Sequence, residues 1–165
     1  MAALIRDAVP QDAGPIAALW NPMILHTAVT FNSAEKTEDE IAQMILARQG
    51  AGHGFLVAEA HSAILGFATY SQFRGGVGYA TCMEHTIILA PAAQGQGIGR
   101  RLMLAIEEHA RTRGAHQMIA GVSGENPDGQ AFHAACSYDQ IARISQAGFK
   151  FGRFMDLILM RKFLT

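Results

Sequence analysis

Residues 93–102, AQGQGIGRRL, place three glycines on alternate positions directly before a segment with the pattern of an amphipathic helix. Glycine adopts backbone conformations closed to other residues, and it lets a ligand approach the main chain closely. The free N–H groups at a helix N-terminus bind phosphate. The stretch therefore predicts either a phosphate-binding loop or a tight turn packed against a sheet, and on its own it favours neither.

Two common nucleotide-binding loops do not match this stretch. A Walker loop ends in Gly-Lys-Ser/Thr, whereas Gly99 is followed by two arginines. A dinucleotide fingerprint needs glycine at its first, third and sixth positions, and counted from Gly95 the sixth residue is Arg100. What remains is a Q-x-x-G-x-G pattern over 94–99. Its N–H groups suit a pyrophosphate, with Arg100 or Arg101 adding positive charge.

Composition limits the class of protein. The chain has 165 residues, 50% of them hydrophobic and 16% charged, with a formal net charge of −1. We therefore expect one folded domain over residues 1–165, with a substantial core. The absence of a basic cluster argues against nucleic acid as a partner, and the absence of a leader or a long apolar run argues against a membrane. Cys82 and Cys136 lie in no CxxC spacing, so we expect no disulfide, no metal and a cytoplasmic location.

Hydrophobic periodicity predicts an α/β (α+β) protein. Thr37 and Glu40 form a capping box at the start of one helix, and the residues Leu102, Met103 and Ile106 form the buried stripe of another. Helices are predicted at 11–20, 37–52, 97–114 and 127–136, and strands at 4–8, 55–60, 63–73, 81–90, 116–123 and 154–163. This order indicates a mixed sheet with helices on its faces.

Four stretches together resemble the GCN5-related N-acetyltransferase (GNAT) superfamily, and within it the phosphinothricin/methionine sulfoximine acetyltransferase group. They are EHTIIL (84–89), QGQGIG (94–99), Asn126 with His133 seven residues later, and AGFKFGRFMDLILM (147–160). The resemblance covers most of the chain. It implies a mixed, mostly antiparallel, V-splayed sheet flanked by helices, with acetyl-CoA in the notch. It also implies direct acetyl transfer to an amine, and a homodimer.

The resemblance also implies which residues bind acetyl-CoA. They come from the strand that precedes the glycine loop, from the loop itself and from the helix that follows the next strand. The set comprises Ile87, Ile88, Leu89, Gln94, Gly95, Gln96, Gly97, Ile98, Gly99, Arg100, Asn126 and His133.

Glu84 is the candidate general base. Strand alternation places Glu84, Thr86 and Ile88 on one face, and a carboxylate in an apolar strand is costly unless it is paired or lies in a cleft. A base is needed because an amine arrives protonated, and the alternative is a structural ion pair. Alternation places His85 on the opposite face, which favours a structural role. We also include His85 among the expected substrate-binding residues. Cys82 lies three positions before His85, hence on the opposite face of the strand, so we set aside a thiol nucleophile.

His133 is the second candidate catalytic residue. It follows Asn126 by nearly two helical turns, so both side chains can face one groove. In the resembled group a histidine occupies the position where other members carry a tyrosine that protonates the coenzyme A thiolate. An imidazole can serve as acid or base near neutral pH. The alternative is a histidine that only forms a structural hydrogen bond.

The acceptor site is expected in the loop before Glu84. The resemblance places Arg74 and Tyr79 there, and an arginine can bind a carboxylate or phosphinate through two parallel hydrogen bonds. Lys150 and Arg153 belong to the same rim, to a dimer contact or to an ordinary basic loop. A further departure from relatives is Ser137, which replaces a usual glycine and costs stability if its helix ends in a left-handed residue.

These observations predict an acetyl-CoA-dependent N-acetyltransferase. The expected acceptor is the α-amine of a small amino-acid-like compound such as phosphinothricin, methionine sulfoximine or methionine sulfone. A polyamine, an aminoglycoside or a protein N-terminus is the alternative acceptor. A non-catalytic acyl-CoA-sensing module would keep the 94–99 loop, but it would not need Glu84 and His133 together.

Overall fold

The computed structural model describes residues 2–165, which form seven strands and four α-helices. The strands are β1 (Leu4–Asp7), β2 (Phe55–Ala60), β3 (Ala63–Gln72), β4 (Cys82–Leu89), β5 (Gln117–Ser123), β6 (Asp139–Lys150) and β7 (Arg153–Phe163). The helices are α1 (Ala13–His26), α2 (Glu38–Gly50), α3 (Ile98–Thr112) and α4 (Pro127–Ala135). Short 3₁₀ turns occupy Pro10–Asp12, Val77–Tyr79 and Pro91–Ala93.

The strands form one sheet in the order β1-β2-β3-β4-β5-β7-β6. Every neighbouring pair is antiparallel except β4 and β5, which run parallel. Those two strands pair over only three residues each, from Cys82 with Gln117 to Glu84 with Ile119. Beyond Glu84 they separate, so the sheet opens into a V. The mixed, mostly antiparallel, V-splayed sheet expected from the resemblance is confirmed.

Helices cover both faces of the sheet, and each face has its own core. On one face α1 and α2 bury Ile16, Ile24, Ile41 and Ile45 against the sheet. On the other face α3 buries the predicted stripe of Leu102, Met103 and Ile106, each at most 1% exposed. Burial of a large aliphatic side chain contributes about 1.5–3 kcal/mol. These contacts fix the sheet between two layers of helices.

The predicted start of α2 agrees with the structure, whereas the predicted end of α1 does not. Thr37 accepts from the Glu40 N–H while the Glu40 carboxylate accepts from the Thr37 N–H, so the predicted capping box is confirmed. The predicted helix at 11–20 is longer in the structure, because α1 continues through Pro22 to His26. Ile24 is fully buried, and this packing offsets the hydrogen bond that Pro22 cannot donate.

One strand was missed altogether, namely β6. Its sequence, DQIARISQAGFK, is mostly exposed and lacks a regular apolar alternation. Bulges interrupt its pairing with β7 after Gln140 and Ile144. The connecting residues Phe151 and Gly152 both have positive φ, as a tight hairpin requires. Pairing with the strongly apolar β7, rather than its own pattern, makes this segment a strand.

Helix α4 ends in a Schellman motif centred on Ser137. The Ser137 N–H donates to the carbonyl of Ala134 and the Tyr138 N–H to that of His133, at 3.0 and 2.9 Å. Ser137 has φ of 70°, a left-handed conformation that favours glycine.

Ser137→Gly is therefore expected to raise the free energy of unfolding by about 1 kcal/mol, the approximate cost of a left-handed non-glycine residue. Urea unfolding checks this value, and activity should not change. A destabilised variant would show that the serine hydroxyl contributes more than the backbone strain costs.

Candidate active site

Two cavities meet where β4 and β5 separate. The first, of about 500 Å³, runs from Leu89 along the 94–100 loop to α4. The second, of about 380 Å³, lies between the unpaired halves of β4 and β5. Val29, Ile87, Ile88, Asn126 and His133 line both cavities. Ligands in the two cavities would therefore touch at the splay.

The glycine loop closes the far end of the first cavity. Gly95 and Gly97 both have φ of 74°, and Gly97 is the residue before α3. No side chain caps this helix, and the first N–H groups of an α-helix have no partner within the helix. The loop thus presents free N–H groups and the positive end of a helix dipole to the cavity, which suits a pyrophosphate.

The structure brings together most of the predicted coenzyme-binding residues. All except Gln96 and Ile98 line the first cavity. Gln96 instead donates to the Ala92 carbonyl at 2.6 Å, and Ile98 packs in the core. Of the two arginines, Arg100 lines the cavity, whereas Arg101 donates to the Ala3 carbonyl at 2.7 Å.

Asn126 is placed by its role as the N-cap of α4. Its side-chain oxygen accepts from the Gly129 N–H at 2.9 Å, which satisfies one of the free donors at the helix start. The cap fixes Asn126 at the junction of the two cavities. From there its side chain can reach a ligand in either one.

Glu84 stands at the apex of the V. It is the last β4 residue paired with β5, and its side chain lines the second cavity, where it is exposed. The protein around the carboxylate reduces its hydration and raises the pKa of Glu84, while the positive charge of Arg48 lowers it in part. Within residues 2–165 Glu84 forms no ion pair. A carboxylate of raised pKa facing a cleft is suited to accept a proton.

Arg48 was not predicted as a site residue. It lies in the last turn of α2, is half-buried, and is close enough for its charge to act on Glu84. Desolvation lowers the pKa of Arg48, and Glu84 opposes that shift. No sequence motif marks it, because the contact joins a helix end to a strand 36 positions later in the sequence.

His133, which lines both cavities, forms a buried pair with His85. Each is at most 8% exposed, and their Nε2 atoms are 3.2 Å apart. His133 Nδ1 lies 2.7 Å from the Gly129 carbonyl, which can only accept, so Nδ1 carries a proton. His85 thus faces away from Glu84, in agreement with strand alternation and with a structural role. It also lines the second cavity.

Burial favours the neutral form of both rings. Desolvation and the nearby His133 lower the pKa of His85 to about 3, and desolvation lowers the pKa of His133. Since the single proton of His133 is on Nδ1, His85 supplies the proton between the two Nε2 atoms. His85 Nδ1 is then a bare acceptor, consistent with its having no hydrogen-bond partner within residues 2–165. In this state His133 has no proton on Nε2 to give.

The predicted anion-binding residues lie outside both cavities. The Arg74 guanidinium carbon is 5.4 Å from the centre of the Tyr79 ring, and both residues are exposed on the loop before β4. Arg153 forms an exposed ion pair with Glu125 at 2.6 Å. Lys150, expected at a rim, is instead 4% exposed and bonded to backbone carbonyls.

The sequence also did not predict one part of the lining of the second cavity, which we call its roof. The roof consists of the loop after α1, residues 27–32, together with one aromatic side chain of α1 itself. The lining residues are Trp20, Val29, Thr30, Phe31 and Asn32. The loop has neither periodicity nor motif, so its place over the cavity depends wholly on tertiary contacts.

Comparison with known proteins identifies the family. The family model described as "Acetyltransferase (GNAT) family" matches residues 20–138. The chain belongs to the GNAT family. The match contains β4, the glycine loop, α3 and the Asn126–His133 helix, which together line the first cavity.

Individual GNAT relatives cover nearly the whole chain. An L-methionine sulfoximine/L-methionine sulfone acetyltransferase of Salmonella typhimurium is 33% identical over 157 residues, which are 95% of this chain and 92% of the relative. A phosphinothricin acetyltransferase of Sinorhizobium meliloti, solved with acetyl-CoA, is 31% identical with a TM-score of 0.93, covering 99% and 89% of the two chains. A ribosomal-protein-alanine N-acetyltransferase of Brucella melitensis is 32% identical with a TM-score of 0.93, covering 97% and 99%.

Two further findings bear on the GNAT chain. Over residues 2–165 no three His, Cys, Asp or Glu side chains are grouped as metal ligands. In the same part of the chain no helix has the length and apolar character needed to cross a bilayer.

Proposed function

We propose that this GNAT chain transfers the acetyl group of acetyl-CoA directly to the α-amine of a small amino-acid-like compound. The meeting of the two cavities at the splay carries the proposal, because it lets an acceptor beside Glu84 reach a thioester beside Ile87 and Ile88. The relatives' names support methionine sulfoximine, methionine sulfone and phosphinothricin as acceptors. One domain over residues 1–165 suffices for this chemistry.

Glu84 is proposed as the general base. An α-amine is protonated near neutral pH and must lose a proton before it can attack a thioester carbonyl. The Glu84 carboxylate, exposed in the second cavity, accepts this proton directly or through water. Its raised pKa brings it closer to that of the ammonium, which favours proton transfer.

The acid role predicted for His133 needs a second proton on its ring. Nε2 is the remaining site for that proton, but it lies 3.2 Å from His85 Nε2, and burial opposes the charged form. The neutral ring is held by its contacts with the Gly129 carbonyl and with His85 Nε2, and it lines both cavities. We therefore propose that His133 positions the two ligands, and that the thiolate takes its proton from elsewhere.

Arg74 lies outside both cavities, and it is on the family resemblance that we propose it as the residue that binds the acid group of the acceptor. Arg74→Lys keeps the charge but loses the planar fork, so it should weaken acceptor binding, and Arg74→Ala should weaken it more. Loss of a charge-assisted hydrogen bond predicts a roughly ten- to hundredfold rise in acceptor KM. Steady-state kinetics with acetyl-CoA saturating checks this, with the exposed Arg111→Ala as a matched control.

Two outcomes would relocate the anion site. If Arg74→Ala leaves amino-acid acetylation intact, Arg48 is the next candidate, because its charge acts on Glu84. Lys150 is not a candidate for the anion site, since its ammonium group donates hydrogen bonds to two backbone carbonyls. If the wild type prefers amines that have no acid group, the amino-acid proposal is wrong.

An amine panel with acetyl-CoA and a free-thiol readout tests the proposed function. Methionine sulfoximine, methionine sulfone and phosphinothricin should release coenzyme A thiol faster than polyamines, aminoglycosides or a peptide with N-terminal alanine. The peptide is the second candidate because of the ribosomal-protein-alanine relative. Coenzyme A binding without thiol release from any amine would favour a sensing module.

We also propose that the enzyme is a cytoplasmic homodimer. The β6–β7 hairpin exposes the large apolar side chains Ile141, Ile144, Phe149, Phe151 and Phe154, of which Phe149 and Phe154 are in contact. Exposed apolar side chains grouped on one hairpin favour an interface. The two free cysteines are compatible with a reducing compartment. Sedimentation equilibrium should give a dimer, and a joint Phe149→Ser and Phe154→Ser variant should give a monomer.

A further inference from the structure

The roof of the acceptor cavity has little structure of its own. Residues 27–32 follow α1 without forming a helix or strand, yet Val29, Thr30, Phe31 and Asn32 line the second cavity. Local bonds within the loop are few; the Val29 N–H donates to the Thr27 hydroxyl at 3.2 Å. A segment of this kind keeps one position only if other elements hold it.

Lys150 hydrogen-bonds through its side chain to the backbone of this loop. It is the last residue of β6 and is 4% exposed. Its ammonium donates to the Thr27 carbonyl at 2.7 Å and to the Thr30 carbonyl at 2.8 Å, across more than 100 residues of sequence. Within residues 2–165 Lys150 forms no ion pair. A buried ammonium is costly unless hydrogen-bonded, so these two carbonyls account for its position.

Gly148 provides a second contact from the same strand. A Cβ at Gly148 would overlap the ring of Phe31, so the ring is seated directly on the glycine backbone. Its φ is not in the left-handed region, so the close approach of Phe31 is what requires glycine here. Lys150 and Gly148 together fix the loop at three of its six residues.

We propose that Lys150 is a positioning residue that, with the Gly148–Phe31 contact, sets the shape of the acceptor cavity and thereby acceptor affinity. The inference rests on the proposed function, because it takes the second cavity as the acceptor site. It assigns an acceptor role to the end of β6, which touches neither Glu84 nor the glycine loop.

Lys150→Met tests the ammonium, because methionine keeps an unbranched apolar stem but donates no hydrogen bond. We expect amide hydrogen exchange in residues 28–32 to become faster while α3 and β5 are unchanged. For whichever amine the wild type acetylates, KM should rise about tenfold, with kcat nearly unchanged. Acetyl-CoA affinity should change less than acceptor KM, because only Val29 of this loop also lines the first cavity. The matched control is Arg161→Met, a cation of β7 that stacks on Phe163.

Gly148→Ala tests the same roof with Lys150 intact, and it decides the matter if Lys150→Met does not fold. The added methyl group must displace Phe31, so the same loop exchange and the same rise in acceptor KM are expected. Unchanged exchange in residues 28–32 would overturn the proposal. Faster exchange with unchanged acceptor KM would overturn it too. If the wild type acetylates no amine, the proposed function fails, and exchange alone decides whether Lys150 holds the loop.

Discussion

Glu84→Gln is expected to lower kcat by about 10²–10⁴-fold, the usual contribution of a general base. The amide is nearly isosteric with the carboxyl group, so folding and coenzyme A affinity should remain. Stopped-flow detection of the released thiol measures the rate. Glu108→Gln is a matched control, because Glu108 is an exposed carboxylate of α3 that pairs with Arg111.

The pH dependence gives a second signature of the same residue. Glu84 accepts a proton only when ionised, so the wild-type rate should rise with pH through its pKa, which lies above the usual value for a glutamate. The variant should lose this rise. If the profile and the rate both stay unchanged, the base is another group or water.

Stability separates a base from an ion-pair residue. A raised carboxyl pKa in the folded state means that the protonated form favours folding and that this contribution is lost as pH rises through the folded pKa. The glutamine variant carries no charge, so its free energy of unfolding near pH 7 should exceed that of the wild type. Loss of stability would instead indicate a structural ion pair.

Gly97→Val is expected to weaken coenzyme A binding by at least ~10²-fold. Gly97 has φ of 74°, which a β-branched residue adopts only with strain, and relief of the strain would turn the first N–H groups of α3 away from the cavity. Isothermal titration calorimetry measures the affinity. Gly50→Val is the control, since Gly50 has no positive φ and a Cβ there would meet no atom within 4 Å. Unchanged affinity in a folded Gly97→Val protein would mean that the loop is only a turn.

Gly99 needs glycine for a different reason. The alternating glycine pattern predicts a positive φ there as well, but Gly99 lies inside α3 in ordinary helical conformation. A Cβ would come within 2.7 Å of the Leu89 side chain and 3.1 Å of Phe132. Gly99→Val thus disturbs packing among α3, β4 and α4. It reports on folding as well as on the cofactor, which makes Gly97 the cleaner test.

Local patterns in the sequence predicted how several residues of the candidate site are placed. Strand alternation gave the opposite orientations of Glu84 and His85, and the spacing of Asn126 and His133 gave one helix facing the notch. The glycine pattern located the start of α3. These features depend on residues that are close in sequence, so a pattern can report them.

The proposed acceptor cavity depends on contacts between distant segments. The 27–32 roof is held by Lys150, and Arg48 reaches Glu84 from a different element. The strand that carries Lys150 has no apolar alternation and exists because β7 pairs with it. Neither the roof nor its support has a local pattern, so the sequence alone could not predict them.

One mass-spectrometric measurement tests the central claim most directly. Wild-type protein is incubated with acetyl-CoA and methionine sulfoximine, and the small-molecule and intact-protein masses are recorded together. Direct transfer predicts an acceptor heavier by one acetyl group on its α-nitrogen, an equal amount of coenzyme A thiol, and an unchanged protein mass. An unmodified acceptor, or an acetyl group left on the protein, would contradict the account.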